Sequence, residues 1–189
     1  PSGPAVESER RTQGRMIGPG MPGPRLADVD PDVNLPMIEA WLHRPHVARW
    51  LGDPEQALAA VRRHPPSTRA LILLNDRPVG FVCWQTVTPG ELEAAGLTDL
   101  PGDLVDVDIV IGEADALGHG IGPAALNQLF GRLRAEGVRV VGVADAVENR
   151  RALRAYEKVG FRTFRDFVEA GQRMRYLTLT LDQVPASGR

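Results

Sequence analysis

The chain has 189 residues, 43% hydrophobic and 24% charged, with a formal net charge of −2. That suffices for one domain with a sizeable core, offers no basic patch in its centre for nucleic acid, and contains no apolar run near the roughly 18 residues that span a bilayer. The single cysteine, Cys83 in VGFVCWQ, excludes an internal disulfide, leaves no Cys/His cluster for a metal, and reads as a buried structural thiol in a reducing cytoplasm.

Residues 1–24 are rich in Pro, Gly, Ser and Arg without an apolar period, and read as a disordered tail or a cloning remnant. The folded domain is expected over 25–182, with a flexible C-terminus at 183–189. RLADV forms a short first strand. LPMIEAWL places Leu35, Ile38 and Leu42 at helical spacing, and HVARWLGD adds a turn. DPEQALAAVRRH opens with Asp53 as N-cap and Pro54 in the first helical position. RALILLN, RPVGFVCWQTV and DLVDVDIVI read as strands, the first two joined by a hairpin turn at Asn75 and Asp76. A helix over 121–136 ends at Gly137, VRVVGVAD is a strand, NRRALRAYEKVG is a helix ended by Gly160, and a closing hairpin follows. This order predicts an α/β domain with one central, mixed, mostly antiparallel sheet flanked by helices.

Between Arg77 and Arg132 there is no Lys or Arg but eight acids: Glu91, Glu93, Asp99, Asp103, Asp106, Asp108, Glu113 and Asp115. They form either a solvated acidic loop or a surface that attracts a cation. The strand over 104–111 alternates, with Leu104, Asp106, Asp108 and Val110 on one face. Two aspartates on one face of an apolar strand are costly unless used. Their mutual repulsion raises at least one pKa, and such a carboxylate acts as a base or anchors an ammonium.

LGHGIGPAALNQLF, residues 117–130, sets Gly118, Gly120 and Gly122 on alternate positions where a helix starts. Glycine there costs roughly 0.5–1 kcal/mol relative to alanine. Bare backbone at a helix N-terminus admits a phosphate, although the spacing matches neither a P-loop nor a Rossmann fingerprint. ENRRALRAYEKVGF follows at 148–161.

Together these two stretches resemble the GCN5-related N-acetyltransferases (GNAT), with Asn149, Ala152, Tyr156, Lys158, Gly160 and Phe161 on the family's N-x-x-A-x-x-x-Y-x-K-x-G-F pattern. The resemblance runs from about residue 24 to 181. Within the family the chain is most similar to aminoglycoside 6′-N-acetyltransferases. Leu117 stands where many members have Gln or Arg, and Pro123 lacks an N–H. The resemblance implies a GNAT fold and acetyl-CoA as co-substrate. The cofactor is then expected on the backbone of Leu117, Gly118, His119, Gly120, Ile121 and Gly122, along Ile109, Val110 and Ile111, and at Asn149. It also implies Asp108 as general base and acceptor anchor, and Tyr156 as the acid that protonates the leaving thiolate. Asp106, Glu91 and Asp145 are expected to join Asp108 in binding a cationic small-molecule amine, with no nucleic acid or membrane as partner. Trp41, Trp50 and Trp84 either stack on sugar rings or fill core. Competing expectations are an acyltransferase acting on a siderophore precursor or peptide amine, and a non-catalytic acetyl-CoA sensor.

Overall fold

The computed structural model describes residues 23–183. The expectations for residues 1–22 and 184–189 lie outside that range. The domain is tied down from its first described residues: Leu26 N–H donates to Gln128 Oε1 at 3.2 Å, and the Gln128 amide donates to the Pro24 carbonyl.

Strand β1 (Arg25–Asp28) is followed by helices α1 (Pro31–Leu42), α2 (Pro45–Leu51) and α3 (Pro54–Arg63). Asp30 and Asp53 cap α1 and α3 by accepting N–H groups of the first turn, with a proline just inside each helix. Strands β2 (Arg69–Leu74) and β3 (Arg77–Thr86) meet at Asn75 and Asp76, both at positive φ (50° and 61°), as a tight hairpin requires. Next come α4 (Pro89–Ala94), β4 (Val105–Ile111), α5 (Ile121–Ala135), β5 (Val140–Ala146), α6 (Arg150–Lys158), β6 (Arg162–Glu169) and β7 (Gln172–Thr180).

Helix α4 lies in a stretch where the sequence pattern predicts no element. Its start signal is nonetheless present in Thr88–Glu91: Thr88 accepts from the Glu91 N–H, and the Glu91 carboxylate accepts from the Thr88 N–H, a capping box. Six residues give too little apolar period to announce themselves.

The strands form a seven-stranded sheet in the order β1-β2-β3-β4-β5-β7-β6, antiparallel except between β4 and β5. Alternation along β4 sorts its side chains as expected. Val105 and Val107 pack with Leu126, Leu129, Phe130 and Leu133 of α5 and Leu153 of α6. Val110 packs on the other face with Ile38, Trp41 and Leu42 of α1. Each such buried side chain contributes roughly 1.5–3 kcal/mol. A third cluster, with Leu92 of α4, Leu97, Leu100, Leu104 and Tyr176, closes the α1–α3 side near the start of β4.

Parallel pairing of β4 with β5 stops early. It links Val105 to Val141 and Asp106 to Gly142, whereas β4 stays paired with β3 as far as Ile111. Beyond Asp106 the two central strands diverge, and a cleft opens in the middle of the sheet.

Candidate active site

The glycines of 117–122 have separate reasons. Gly118 and Gly120 sit at φ +82° and +78°, where a Cβ is strained even though the space beside them is open. Gly120 is the N-cap of α5 and gives it no side-chain cap. The first backbone bond of the helix is Ala124 N–H to Gly120 O. The N–H groups of Ile121 and Gly122 therefore point out of the helix end, at the positive pole of a fifteen-residue helix. Pro123 occupies a position whose N–H no helix bond uses, so it removes one outward donor and leaves the helix intact.

A cleft of about 1270 Å³ runs from this helix end through the gap between β4 and β5. Leu117, Gly118, Gly120, Ile121 and Gly122 line it, as do Ile109, Val110, Ile111, Asn149 and Tyr156. His119 is not in the lining. The three β4 residues are not equivalent there. A Cβ on Gly80 of β3 would collide with the Val110 carbonyl, which therefore faces β3. Ile109 and Ile111 turn to the other edge by alternation, which β5 no longer covers, and the Ile111 carbonyl lies 3.2 Å from His46 Nε2. The expected row of three open backbone positions thus reduces to the gap edge at Ile109 and Ile111. Arg150, Arg151, Arg154 and Lys158 of α6 also line the cleft, with no acidic partner among the described residues.

Asp106 and Asp108 lie further along, on the same face of β4. Neither is held by an arginine among the described residues. Asp108 has the accessible surface of an exposed residue because the cleft is open above it, yet protein surrounds it on the other sides. That enclosure raises its carboxyl pKa, with His64 opposing. Asp106 is half-buried. Its pKa is pushed up to about 7, by burial first and by Asp108 second, against a hydrogen bond from Tyr176. The Tyr176 hydroxyl donates to Asp106 Oδ1 at 2.8 Å. No motif pointed to Tyr176. The faint signal was Gly142 in the β5 pattern, where a Cβ would run into the Tyr176 hydroxyl.

Tyr156 is buried and packs edge-on to Phe161, with ring centroids 5.9 Å apart. Its hydroxyl donates to Asp145 Oδ2 at 3.2 Å. Burial and that neighbouring carboxylate hold its proton firmly, raising the phenol pKa. Asp145 also accepts from its neighbour's Ala146 N–H and from Asn149 Nδ2, both within 3.0 Å. Asn149 Oδ1 accepts from the Ala152 N–H and caps α6. Asp145 and Asn149, expected to touch acceptor and cofactor, are thus engaged in holding Tyr156 and the start of α6.

The acidic stretch is not one rim. Asp99, Asp103, Glu113 and Asp115 are paired with Arg165, Arg139, Arg44 and Arg77. Only Glu91, Asp106 and Asp108 of the eight line the cleft, and Glu91 Oε2 is already committed to its cap. The tryptophans divide similarly. Trp41 is buried, stacks on Phe81, and donates to Glu113 at 2.8 Å. Trp84 is buried with Arg132 over its ring, and Trp50 alone of the three lines the cleft. Cys83 is buried and its thiol pKa is pushed up to about 12, which makes it an inert core residue.

A split central sheet, an uncapped helix N-terminus at one end of the split and raised carboxyls at the other define an acyl-transfer scaffold. The family model described as acetyltransferase (GNAT) domain matches residues 30–168. The chain belongs to this family and is an N-acetyltransferase. Aminoglycoside N(6′)-acetyltransferases type 1 of Klebsiella pneumoniae and Serratia marcescens are each 29% identical over 140 residues, covering 68% of this chain and 69% of theirs. Among solved structures, AAC(6′)-Ib in complex with paromomycin and acetyl-CoA superposes with a TM-score of 0.71 at 21% identity, covering 88% of this chain and all of that one. An aminoglycoside N(6′)-acetyltransferase of Legionella pneumophila superposes at 0.68 with 16% identity, covering 87% of this chain and 96% of that one. Among the described residues, no helix is long and apolar enough to cross a membrane.

Proposed function

We propose that this acetyltransferase, in a domain spanning 25–182, uses acetyl-CoA to acetylate a primary amine of a cationic acceptor, the 6′-amino group of an aminoglycoside. The observation that carries this reading is the pair Asp106 and Asp108 at the lip of the β4–β5 gap, in one cleft with the uncapped start of α5. The names and complexes of the relatives support both substrates.

The cleft fits the co-substrate. Backbone N–H groups of Gly118, Gly120, Ile121 and Gly122 would hold its pyrophosphate, and Arg150, Arg151, Arg154 and Lys158 would offset further phosphate charge. The edge at Ile109 and Ile111 would pair with an extended amide arm. When bound, acetyl-CoA supplies an acetyl group activated as a thioester.

The chain's own residues then divide the proton work. Asp108 holds the acceptor ammonium and takes its proton, which frees the amine lone pair. Its raised pKa brings it nearer the amine's range than an ordinary carboxylate would be. Tyr156 keeps a proton on its hydroxyl throughout the neutral range, and turning that O–H from Asp145 to the leaving sulfur would deliver the proton as the thioester C–S bond breaks. Asp145 and Asn149 orient that hydroxyl. Asp106 and Glu91 add negative charge on the acceptor side. The test is thiol release from acetyl-CoA across aminoglycosides, polyamines and basic peptides. The reading requires release with aminoglycosides at rates well above the others. Release with peptides alone would move the acceptor class, and no release with any amine would leave a binding module.

A further inference from the structure

Tyr176 stands two strands away from β4, yet its hydroxyl reaches Asp106. The path crosses β5 on the face that carries Gly142 and Ala144. Tyr176 pairs by backbone with Ala144, and its side chain leans two residues along the strand to end over Gly142. A Cβ on Gly142 would collide with the hydroxyl and lie 3.0 Å from Asp106 Oδ1. Asp106–Gly142 is also the last β4–β5 pair before the strands part. The glycine, the tyrosine and the aspartate therefore meet at the point where the cleft begins. Tyr176 is only 4% exposed and packed with Leu92, Leu97, Leu100 and Leu104, so its position is fixed by core packing.

We propose that Tyr176 is a positioning residue that holds Asp106 as a second ammonium seat beside Asp108, so that the cleft favours acceptors with two or more amino groups over monoamines. This rests on the reading of the cleft as an amine-acetylation site. The two aspartates are two residues apart on one strand face, roughly 6.5–7 Å between Cα atoms, a span that neighbouring amines on a sugar can match. Tyr176 donates to Oδ1 of Asp106 and the Val107 N–H also bonds the carboxylate, which leaves oxygen lone pairs for the ligand. The other charged groups facing Asp106 are all acidic: Asp108 on its own strand and Glu91 on α4, with Asp145 beyond Asp108. An ammonium relieves that repulsion; of the basic groups nearby, His64 acts on Asp108 and Arg49 lines the cleft, and neither is bonded to Asp106 among the described residues.

The experiment compares kcat/KM for kanamycin, with several amino groups, and 6-amino-6-deoxyglucose, with one, in the parent, Tyr176→Phe and Asp106→Asn. Calorimetric acetyl-CoA affinity in each variant reports whether the fold is intact. Asp106→Asn still offers Tyr176 an oxygen, so it preserves the packing if Tyr176→Phe does not. One charge-assisted contact corresponds to roughly a tenfold preference, and both variants should lose most of it. The pH dependence separates positioning from bulk structure. Kanamycin affinity in the parent should rise as Asp106 ionises around pH 7. Loss of the donated hydroxyl disfavours the charged carboxylate, so Tyr176→Phe should move this limb to higher pH, and Asp106→Asn should lack it. An unchanged kanamycin preference in both variants, or equal losses on both sugars with an unmoved limb, would overturn the proposal. If the parent neither binds nor acetylates kanamycin, the acetylation reading itself fails and this seat falls with it.

Discussion

At the α5 end of the cleft, recognition falls to the backbone: two glycines at positive φ, an N-cap with no side-chain partner, and N–H groups directed outward. At the β4 end it falls to side chains, with Asp106, Asp108 and Asp145 and two tyrosines whose hydroxyls each donate to an acid, Tyr176 to Asp106 and Tyr156 to Asp145. Of the charged side chains lining the cleft, α6 contributes the cations Arg150, Arg151, Arg154 and Lys158, whereas α4 and β4 contribute the acids Glu91, Asp106 and Asp108. One end offers its ligand N–H groups that need small residues at Gly118 and Gly120 but no particular side chain. The other can be re-tooled by single substitutions. Asp108, between the two Tyr–Asp pairs, accepts from no hydroxyl among the described residues, so both of its oxygens are open to the acceptor.

That division is easiest to break at Asp108. Asp108→Asn should lower kcat by ~10²–10⁴, the range for losing a general base, and raise KM for the amine. The parent's rate should rise with pH as Asp108 ionises, at a pH above the ordinary aspartate value of about 3.9, because enclosure raises its pKa. The variant should lack that limb. Tyr156→Phe tests whether the second Tyr–Asp pair serves chemistry. Removing the hydroxyl takes the proton donor away and frees Asp145, so kcat should fall by about 10² with KM for both substrates little changed. Parental turnover under rate-limiting chemistry would return Tyr156 to the core. Gly120→Val probes the backbone end. A β-branched residue at φ +78° costs roughly 1–2 kcal/mol, so the KM for acetyl-CoA should rise about tenfold as the loop shifts. Glu91→Gln should act least. It weakens the cap of α4 and removes one exposed charge, for roughly a two- to fivefold rise in the amine's KM that salt screens away.

Much of this was legible in the sequence, and unevenly. The helix starts at Asp53 and Gly120 and the alternation in β4 are local patterns, and local geometry follows from them. The glycine motif foretold a bare helix end because positive φ is a property of a few adjacent residues. What the chain could not announce was pairing across distance. Asp106 and Tyr176 are 70 residues apart, and four acids of the acidic stretch are neutralised by arginines far away in sequence. Charge counting along the chain therefore overstated the acidic rim. Asn149 and Asp145 lie on the family pattern and at a strand end, but only the fold shows that Asn149 donates to Asp145 and that Asp145 accepts from Tyr156.

The most direct test of the divided cleft is a crossed calorimetric titration. Acetyl-CoA and kanamycin are titrated separately into the parent, Gly120→Val and Asp108→Asn. Gly120→Val should weaken acetyl-CoA about tenfold, the cost of one strained residue, and leave kanamycin within experimental error. Asp108→Asn should do the reverse, with kanamycin weakened and acetyl-CoA unmoved. Variants that weaken both ligands alike, or an Asp108→Asn protein that binds kanamycin as the parent does, would contradict that division.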